Sequence, residues 1–310
     1  MNKRIIMDVD TGIDDAIAIM LAVKSGRFNI EGITTVSGNV SLQQATDNTC
    51  KIAEFLGAND IPIIRGANQP YLRQPRFEHH VHGSDGIGGA LADMRPTKRP
   101  YDGFAPDFII DTVKRHPGEV TLIMTAPLTN LALALRKCPE LIEQVDEVIF
   151  MGGVVTSFGN VSPMAEYNIF ADPEAARIVF QAGFPKLTMV GLDVTRRALL
   201  RDEHIASLTN EAIRNYVRES TEIYVNRYEE RNGIRACAMH DPLAVAVALD
   251  RTIVGTASHF VDVETKSELC DGQTVCDFQN RLQRVANMDV CLDLDEQAFM
   301  RLFIDTLNRP

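Results

Sequence analysis

The sequence predicts an α/β fold, a single domain over residues 1–310 with a mostly parallel central sheet flanked by helices. Apolar runs of strand length alternate with helical patterns along the first two-thirds of the chain. These runs are continuously apolar, as the strands of a parallel sheet are when both faces are covered. No linker-like or low-complexity tract interrupts the chain, so its length alone gives no reason to divide it into two domains.

The predicted strands and helices follow one another as β-α-β units do, which favours a Rossmann-like core. Helix starts are marked at Asp172-Pro173 and Asp241-Pro242, because aspartate caps helices and proline suits the first helical position. Strands are expected at 4–9, 29–36, 61–65, 119–124, 146–151 and 186–191. Helices are expected at 14–25, 41–56, 104–115, 127–137 and 173–182.

The C-terminal third departs from this alternation. Residues 201–250 have a mainly helical pattern, which predicts a helical insertion after the sixth strand. Segments 257–264 and 285–292 are expected to be late strands, and 295–308 is expected to form the closing helix.

The charge and cysteine content of the chain exclude several classes of function. A net charge of −11 argues against a nucleic-acid groove and against binding to an anionic membrane surface. No stretch is long and apolar enough for a membrane span, and the N-terminus lacks the apolar core of a signal peptide. The six cysteines include no C-x-x-C pair and are expected to be reduced thiols, so a cytoplasmic protein is predicted.

Four aspartates are crowded into the stretch RIIMDVDTGIDDAIAIMLAV, residues 4–23. Asp8 and Asp10 end the first predicted strand, and Asp14 and Asp15 open the first predicted helix. Like-charged carboxylates in one place repel, so they must protonate, spread into water or bind a cation. Strand positions two apart face the same side, and the N-terminus of a helix favours anions. Oxygen donors in this arrangement favour a calcium or magnesium site over a zinc site.

Two other interpretations of these aspartates start from short motifs. Asp10-Thr11-Gly12 also occurs in aspartic proteases, but those enzymes are β-rich and need a second such motif, which this chain lacks. Asp8-Val9-Asp10 resembles the aspartate pair of haloacid-dehalogenase-like phosphatases, in which the first aspartate attacks a phosphoryl group beside magnesium. Gly12 departs from that motif, and no partner lysine is evident. A magnesium-dependent phosphatase with Asp8 as nucleophile therefore stands as an alternative function.

Polar side chains suited to a sugar are concentrated in the loop within residues 151–176. Glu166 and Asn168 are two positions apart, so both can face one pocket, and Asn160 precedes them in the same loop. Asn39, after the second predicted strand, is a further candidate. Long ordered loops in compact domains are usually functional, and amide and carboxylate groups bind hydroxyls.

A second set of candidates combines a histidine that can move a proton with a pair of tyrosines. His240 and Asp241 lie at the start of an apolar helix, where capping explains the aspartate alone and a histidine can move a proton near neutral pH. Tyr224 and Tyr228 are four apart and share one helix face. Two interpretations of this pair stay open: the tyrosines pack in the core, or they form a wall on which a planar base stacks.

The segment FEHHVHGSDGIGG, residues 77–89, holds three of the seven histidines. A zinc site is one interpretation, but His79, His80 and His82 lack helical ligand spacing and have no nearby cysteine. The glycines favour a mobile flap over a pocket instead.

In order along the chain, these segments resemble the nucleoside hydrolase family, the inosine–uridine-preferring nucleoside N-ribohydrolases. The opening DVDTGIDDA is similar to the family signature, with Thr11 where proline is usual and Ala126 at a later position that is often glycine. Further similar motifs, which extend the resemblance over nearly the whole chain, are VSGN at 36–39, HG at 82–83, TAPLTN at 125–130, FMGG at 150–153, NVSPMAEYNIFADPEAA at 160–176 and MHD at 239–241.

The resemblance implies a calcium-dependent enzyme that hydrolyses the N-glycosidic bond of a small-molecule ribonucleoside substrate, as a homodimer or homotetramer. It implies that calcium is bound by Asp10, Asp15, the backbone carbonyl of Thr125, and Asp241. It implies ribose contacts from Asp14, Asn39, Asn160, Glu166 and Asn168. It places His82, Tyr224, Tyr228 and His240 around the base.

In the chemistry that the resemblance implies, the metal holds two ribose hydroxyls and a water whose proton passes to Asp10, and His240 protonates or orients the departing base. The strictly purine-preferring branch of the family is associated with a tryptophan that stacks on the base, and this chain has no tryptophan. Uridine, cytidine or inosine is therefore the expected substrate. A non-catalytic nucleoside-binding protein, for which Glu166 and His240 are only contacts, is the other alternative.

Overall fold

The computed structural model describes residues 2–309, which contain twelve strands, twelve α-helices and two 3-10 helices. The strands are β1 (Lys3–Val9), β2 (Phe28–Thr35), β3 (Ile63–Arg65), β4 (Val120–Met124), β5 (Glu147–Met151), β6 (Leu187–Val190), β7 (Leu199–Leu200), β8 (Cys237–Ala238), β9 (Val254–His259), β10 (Val261–Val263), β11 (Thr274–Cys276) and β12 (Met288–Leu294). The α-helices are α1 (Ile13–Ser25), α2 (Leu42–Phe55), α3 (His79–His82), α4 (Ala105–Arg115), α5 (Thr129–Lys137), α6 (Tyr167–Ala171), α7 (Pro173–Phe180), α8 (Leu192–Thr195), α9 (Asp202–Ala206), α10 (Glu211–Asn232), α11 (His240–Leu249) and α12 (Glu296–Leu307). The 3-10 helices cover Pro139–Glu143 and Arg251–Ile253.

The predicted α/β class with a mostly parallel sheet is confirmed. Eight strands form the central sheet in the order β3-β2-β1-β4-β5-β6-β12-β9. All neighbours pair in parallel except β9, which runs antiparallel to β12 at one edge. Because β1 lies in the middle of the sheet, the residues that follow it are surrounded by the ends of the neighbouring strands.

Two helices that are apolar on nearly every side form the centre of the core on one face of the sheet. Helix α1 is buried from Ile13 to Ala22, and α11 is buried from Asp241 to Leu249. A helix with no polar face must be covered all round, and α1 packs against both α11 and α12. The only charged groups in their first turns, Asp14, Asp15 and Asp241, are thereby carried into the interior.

The late strands differ from the prediction in their boundaries. The segment expected as one strand over 257–264 divides at Phe260 into β9, in the main sheet, and β10, which pairs with β11 in a separate ribbon. The Asn287 side chain accepts a hydrogen bond from the backbone N–H of Val261 (2.9 Å) and donates to its carbonyl oxygen (2.9 Å). These bonds occupy the backbone groups that would otherwise continue the β9–β12 ladder. Strand β12 accordingly begins at Met288 rather than at 285.

The predicted helical insertion is mostly helical but contains a two-stranded ribbon that the sequence pattern does not predict. Strands β7 and β8 pair antiparallel, with Leu199 opposite Ala238 and Leu200 opposite Cys237. Two-residue strands are too short to show a period of two, so only their tertiary pairing reveals them.

Within the described part of the chain, no helix combines the length and the apolar run that crossing a bilayer requires.

Replacing Phe150 by alanine is expected to lower the free energy of unfolding by about 3–5 kcal/mol, because it opens a cavity in a packed core. Phe150 on β5 is fully buried, and its ring centroid lies 5.2 Å from that of Phe180 on α7. Urea unfolding measures the effect. Val285→Ala, at a side chain that is 89% exposed, is the control and is expected to change stability by no more than about 0.5 kcal/mol. Equal effects of the two substitutions would contradict this account of the core.

Candidate active site

The carboxyl edge of the sheet gathers polar residues from three neighbouring strands. Strands β1, β2 and β4 are paired in parallel, so the residues that follow their last positions come to the same edge. These residues are Asp10 after β1, Asn39 after β2 and Thr125 after β4. Ligand sites of parallel sheets lie at this edge.

Three aspartates meet at the point where α1 and α11 begin. One carboxylate oxygen from each of Asp14, Asp15 and Asp241 lies within 4.8 Å of the others, and all three side chains are buried. The first two come from the first turn of α1 and the third from the first turn of α11. Both helices therefore direct the positive ends of their dipoles at the cluster, which favours negative charge there.

Asp10 extends the cluster and is oriented by Asn39. The Asn39 backbone N–H donates to Asp10 Oδ2 (2.5 Å), and its side-chain Nδ2 donates to Asp10 Oδ1 (3.1 Å) and Asp15 Oδ2 (3.3 Å). Asp15 also accepts hydrogen bonds from the Thr125 hydroxyl (2.7 Å) and from the backbone N–H of Gly12 (2.9 Å). The loop after β2 passes so close that a Cβ at Gly38 would lie 2.0 Å from Asp10 Oδ2.

The electrostatics of the cluster fit a hard divalent cation. Burial, reinforced by repulsion from the neighbouring carboxylates, raises the pKa of Asp14 to about 7 and the pKa values of Asp10 and Asp241 well above their usual range. Asp14 Oδ1 is buried without a hydrogen-bond partner. Between residues 2 and 309, the lysine and arginine side chains form their ion pairs with other carboxylates. Oxygen donors that carry negative charge and lack a protein cation suit a metal ion of the calcium or magnesium class.

Glu166 and Asn168 lie at the start of α6, which follows the long loop after β5. Glu166 caps that helix by accepting from the Asn168 backbone N–H (2.9 Å), and it also accepts from the backbone N–H of Gly153 (2.8 Å). Burial raises the pKa of Glu166 to about 7. The Asn168 side-chain nitrogen donates to the carbonyl oxygens of Thr125 (3.0 Å) and Met151 (3.1 Å). Cap formation thus fixes both side chains at the ends of β4 and β5.

Asn160 lies earlier in the same loop. Arg196, a residue that the sequence analysis did not single out, holds this loop in place. The Asn160 side-chain oxygen accepts from the Tyr167 backbone N–H (2.9 Å). Arg196, just after α8, donates to the carbonyl oxygens of Phe158 (2.7 Å) and Gly159 (2.8 Å). Its guanidinium also lies 4.4 Å from the centroid of the Phe158 ring. Nothing in the local sequence marks this arginine, because its partners are backbone atoms of a distant loop.

Aromatic side chains border the other end of the site. Tyr224 and Tyr228 share one face of α10, and their ring centroids are 6.4 Å apart. The Tyr224 ring is nearly parallel to the imidazole of His240, with centroids separated by 6.5 Å. The tyrosine pair therefore forms a wall of the site as well as part of the core.

His82 reaches the site with a buried ring, His80 lines its outer part, and His79 lies outside it. His82 Nδ1 accepts a hydrogen bond from the backbone N–H of Ile13 (3.1 Å), and burial lowers its pKa to about 3. His79 and His80 are exposed. Among residues 2–309, the aspartate cluster is the one group of three or more potential metal ligands, and the three histidines of this segment are not brought together as such a group.

A cavity of about 810 Å³ joins these groups. Asp10 and Asp15 lie behind its lining and reach it through their contacts with Asn39. The candidate residues that line it are Asp14, Asn39, His82, Thr125, Asn160, Glu166, Asn168, Tyr224, Tyr228, His240 and Asp241. A carboxylate cluster, sugar-binding groups and an aromatic wall thus face one space. A smaller cavity of about 340 Å³, around Lys3 and Arg27 at the opposite edge of the sheet, has no such combination.

Asp8, the nucleophile of the phosphatase alternative, does not face this cavity. It is fully buried and accepts hydrogen bonds from the Thr34 hydroxyl (2.5 Å) and from Asn130 Nδ2 (2.8 Å). Asn130 Nδ2 also donates to the carbonyl oxygen of Thr35 (3.1 Å), and its Oδ1 accepts from the backbone N–H of Ala67 (2.9 Å). Asn130 therefore ties the ends of β1, β2 and β3 together, a role that the sequence interpretation missed because its partners are distant in the chain.

Comparison with known proteins finds similarity along nearly the whole chain. The model of the family described as inosine-uridine preferring nucleoside hydrolase matches residues 5–301. An inosine-uridine preferring nucleoside hydrolase of Crithidia fasciculata is 37% identical, with 100% of this chain and 98% of that protein covered. A pyrimidine-specific ribonucleoside hydrolase of Shewanella woodyi is 37% identical, with 99% and 98% covered. The structure of a purine-preferring ribonucleoside hydrolase from Gardnerella vaginalis is similar with a TM-score of 0.91 and 33% identity, and 99% of this chain and 98% of that chain are covered.

Replacing Asn130 by leucine is expected to lower the free energy of unfolding by about 2–4 kcal/mol, because it leaves several buried polar groups without partners. Urea unfolding provides the measurement. Gln43→Leu is the matched control, since the Gln43 side chain is exposed and bonds only to Asp47 within its own helix. We expect this variant to lower the free energy of unfolding by only about 0.5 kcal/mol. A loss for Asn130→Leu no larger than that of the control would show that this asparagine does not hold the strand ends.

Proposed function

Starting from the premise that this chain belongs to the family of inosine-uridine preferring nucleoside hydrolases, we propose that it hydrolyses uridine, cytidine and inosine in a calcium-dependent reaction. Membership of the family makes the protein an enzyme that breaks the N-glycosidic bond of ribonucleosides. The observation that carries the proposal is the single cavity that brings a buried carboxylate cluster, sugar-binding groups and an aromatic wall together.

The residues that would hold the calcium ion are Asp10, Asp15, Asp241 and the carbonyl oxygen of Thr125. The charged oxygen donors of the aspartates and the neutral carbonyl of a strand end are the ligands that calcium accepts in a flexible geometry. When bound, such an ion supplies a positive charge that holds ribose hydroxyls and makes a neighbouring water more acidic. Asp14, whose buried Oδ1 has no protein partner, would accept a hydrogen bond from a ribose hydroxyl.

Asp10 would accept the proton of the water that attacks the anomeric carbon. Both of its carboxylate oxygens are oriented by hydrogen bonds from Asn39. The carboxylate of Asp10 therefore needs no reorientation to accept the proton. Cleavage of a glycosidic bond passes through an oxocarbenium-like state, and the surrounding carboxylates favour the positive charge that develops on the sugar. Holding the ribose at fixed distance from this carboxylate supplies the proximity effect of an intramolecular reaction.

The remaining cavity residues would position the two halves of the substrate. Asn39, Asn160, Glu166 and Asn168 face the ribose, and His82, Tyr224, Tyr228 and His240 surround the base. The groups of this set that are buried are Asn39, His82, Glu166, Asn168 and Tyr224. Their burial lowers the local polarity and strengthens the polar interactions they make with the substrate.

Broad base acceptance is the substrate preference that the residues favour. The chain has no tryptophan to stack on a purine. Proteins with inosine-uridine, pyrimidine and purine preferences are similar to it at 33–37% identity, so overall similarity does not select one base. We infer that the protein is a homodimer or homotetramer that serves nucleoside salvage. We also infer a cytoplasmic location, because its six cysteines are free thiols and the cytoplasm keeps thiols reduced.

Release of free ribose from uridine, cytidine and inosine, with calcium present, tests the proposal directly. We expect turnover on at least one of the three, and at least a 100-fold smaller kcat for Asp10→Asn, because the general base is lost. The variant is expected to keep its fold by circular dichroism.

Asp111→Asn is the matched control, because Asp111 is exposed on α4, and we expect it to retain the wild-type rate. No ribose from any nucleoside would overturn the enzymatic proposal, and recovery of intact nucleoside from a tight complex would favour the non-catalytic binding protein. Undiminished turnover by Asp10→Asn would exclude its role as the base.

Calcium added to metal-depleted protein is expected to raise Tm, because a ligand that binds only the folded state stabilises it by about 3 kcal/mol at 100 times its Kd. Differential scanning fluorimetry with and without a chelator measures the shift. Asp241→Asn is expected to lose most of the shift, whereas Asp111→Asn is expected to keep it. The same rise in both variants would place the calcium site elsewhere.

A further inference from the structure

Thr195 makes the one protein hydrogen bond to the imidazole of His240 within residues 2–309. Its hydroxyl oxygen lies 2.7 Å from His240 Nδ1, and the side chain is fully buried. His240 itself lines the cavity beside Tyr224. The sequence interpretation singled out His240 and gave Thr195 no role.

The unpredicted ribbon of β7 and β8 brings these two residues together. Leu199 of β7 pairs with Ala238 of β8, and the Met239 backbone N–H donates to the carbonyl oxygen of Ala198 (2.8 Å). The ribbon therefore fixes the end of α8, where Thr195 lies, against the start of α11, where His240 lies. Because this pairing joins the segment after Thr195 to the segment before His240, it holds the hydroxyl and the ring close to each other.

The direction of this hydrogen bond follows from the partners available to the hydroxyl. Among the described residues, Thr195 Oγ1 has no acceptor other than His240 Nδ1, and a buried hydroxyl that did not donate would leave its proton unpaired. Donation to Nδ1 requires that nitrogen to be unprotonated, so a neutral His240 carries its proton on Nε2. The Nε2–H, on the other side of Cε1, makes no hydrogen bond within residues 2–309 and belongs to a ring that lines the cavity.

We propose that Thr195 is a positioning residue that fixes the tautomer and orientation of His240, so that Nε2–H donates a hydrogen bond to the departing base. This inference rests on the proposed nucleoside hydrolysis. The C1′–N bond breaks with its electron pair on the base nitrogen, while the water oxygen bonds to C1′ and its proton passes to Asp10. No proton leaves His240 in this step. Its hydrogen bond stabilises the negative charge that develops on the base, which takes its proton from solvent afterwards.

The test compares a nucleoside with a riboside whose leaving group needs no such help. Uridine or inosine, whichever the wild type turns over faster, is compared with 4-nitrophenyl β-ribofuranoside, which releases a stable phenolate. For Thr195→Val we expect kcat on the nucleoside to fall roughly 10- to 100-fold, as for loss of a hydrogen-bond donor to a developing anion. We expect kcat on the nitrophenyl riboside to stay within about twofold, KM to change little, and Thr195→Ser to restore the nucleoside rate.

Thr188→Val is the matched control, since it removes another fully buried hydroxyl, on β6, whose partners are Glu147 and Arg251 at the opposite edge of the sheet. We expect it to affect both substrates equally. Equal losses on both substrates in Thr195→Val, or no loss on the nucleoside, would overturn the proposal. If the wild type cleaves neither substrate, the proposed function itself fails, which is a separate result.

Nitrogen NMR of histidine-labelled protein reads the tautomer without any turnover. His240→Gln identifies the signals by their disappearance. We expect Nδ1 of His240 to have the shift of an unprotonated, pyridine-type nitrogen and Nε2 that of a protonated one. A protonated Nδ1 in the folded wild type would overturn the assignment, whatever the fate of Thr195→Val.

Discussion

Concentrated negative charge in a dry interior is the constraint on which the rest of the structure depends. Asp10, Asp14, Asp15 and Asp241 are all buried, and burial of unpaired carboxylates is costly. The fold limits that cost by placing two helix N-termini and the donors of Asn39 and Thr125 around them. The negative charge that these dipoles and donors leave unbalanced is compatible with a bound cation.

The same constraint explains why the surrounding scaffold is so apolar. Helices α1 and α11 must lie side by side for their first turns to meet, and their apolar sides then have to be covered by the sheet and by α12. The polar network beneath the site is equally close-packed. A Cβ on Gly38 would clash with Asp10, and one on Gly66 would lie 2.2 Å from Asn130 Oδ1. The backbone itself therefore shapes the space around the carboxylates.

Much of this arrangement is predictable from sequence because it depends on local signals. The apolar runs predicted β1, β2, β4, β5 and β6 to within a few residues, and the crowding of charge between a strand and a helix predicted a cation site. The features that sequence did not predict depend on contacts between distant segments. Asn130, Arg196 and Thr195 act through atoms far away in the chain, and Asn287 ends a strand by bonding to Val261. Asp241 was linked to the cluster by family resemblance, since its local sequence indicates only a helix cap.

The distribution of the carboxylates along the chain has a consequence for how the protein is made. Asp10, Asp14 and Asp15 are synthesised well before Asp241, which follows only after six of the eight strands of the central sheet. Until α11 docks beside α1, the early aspartates have no completed site, and contacts between such distant segments form late because a long loop must close first. A cation that requires carboxylates from both α1 and α11 would bind to molecules in which these helices have docked and not to partly folded ones. High affinity for the metal would then be a property of completely folded molecules only.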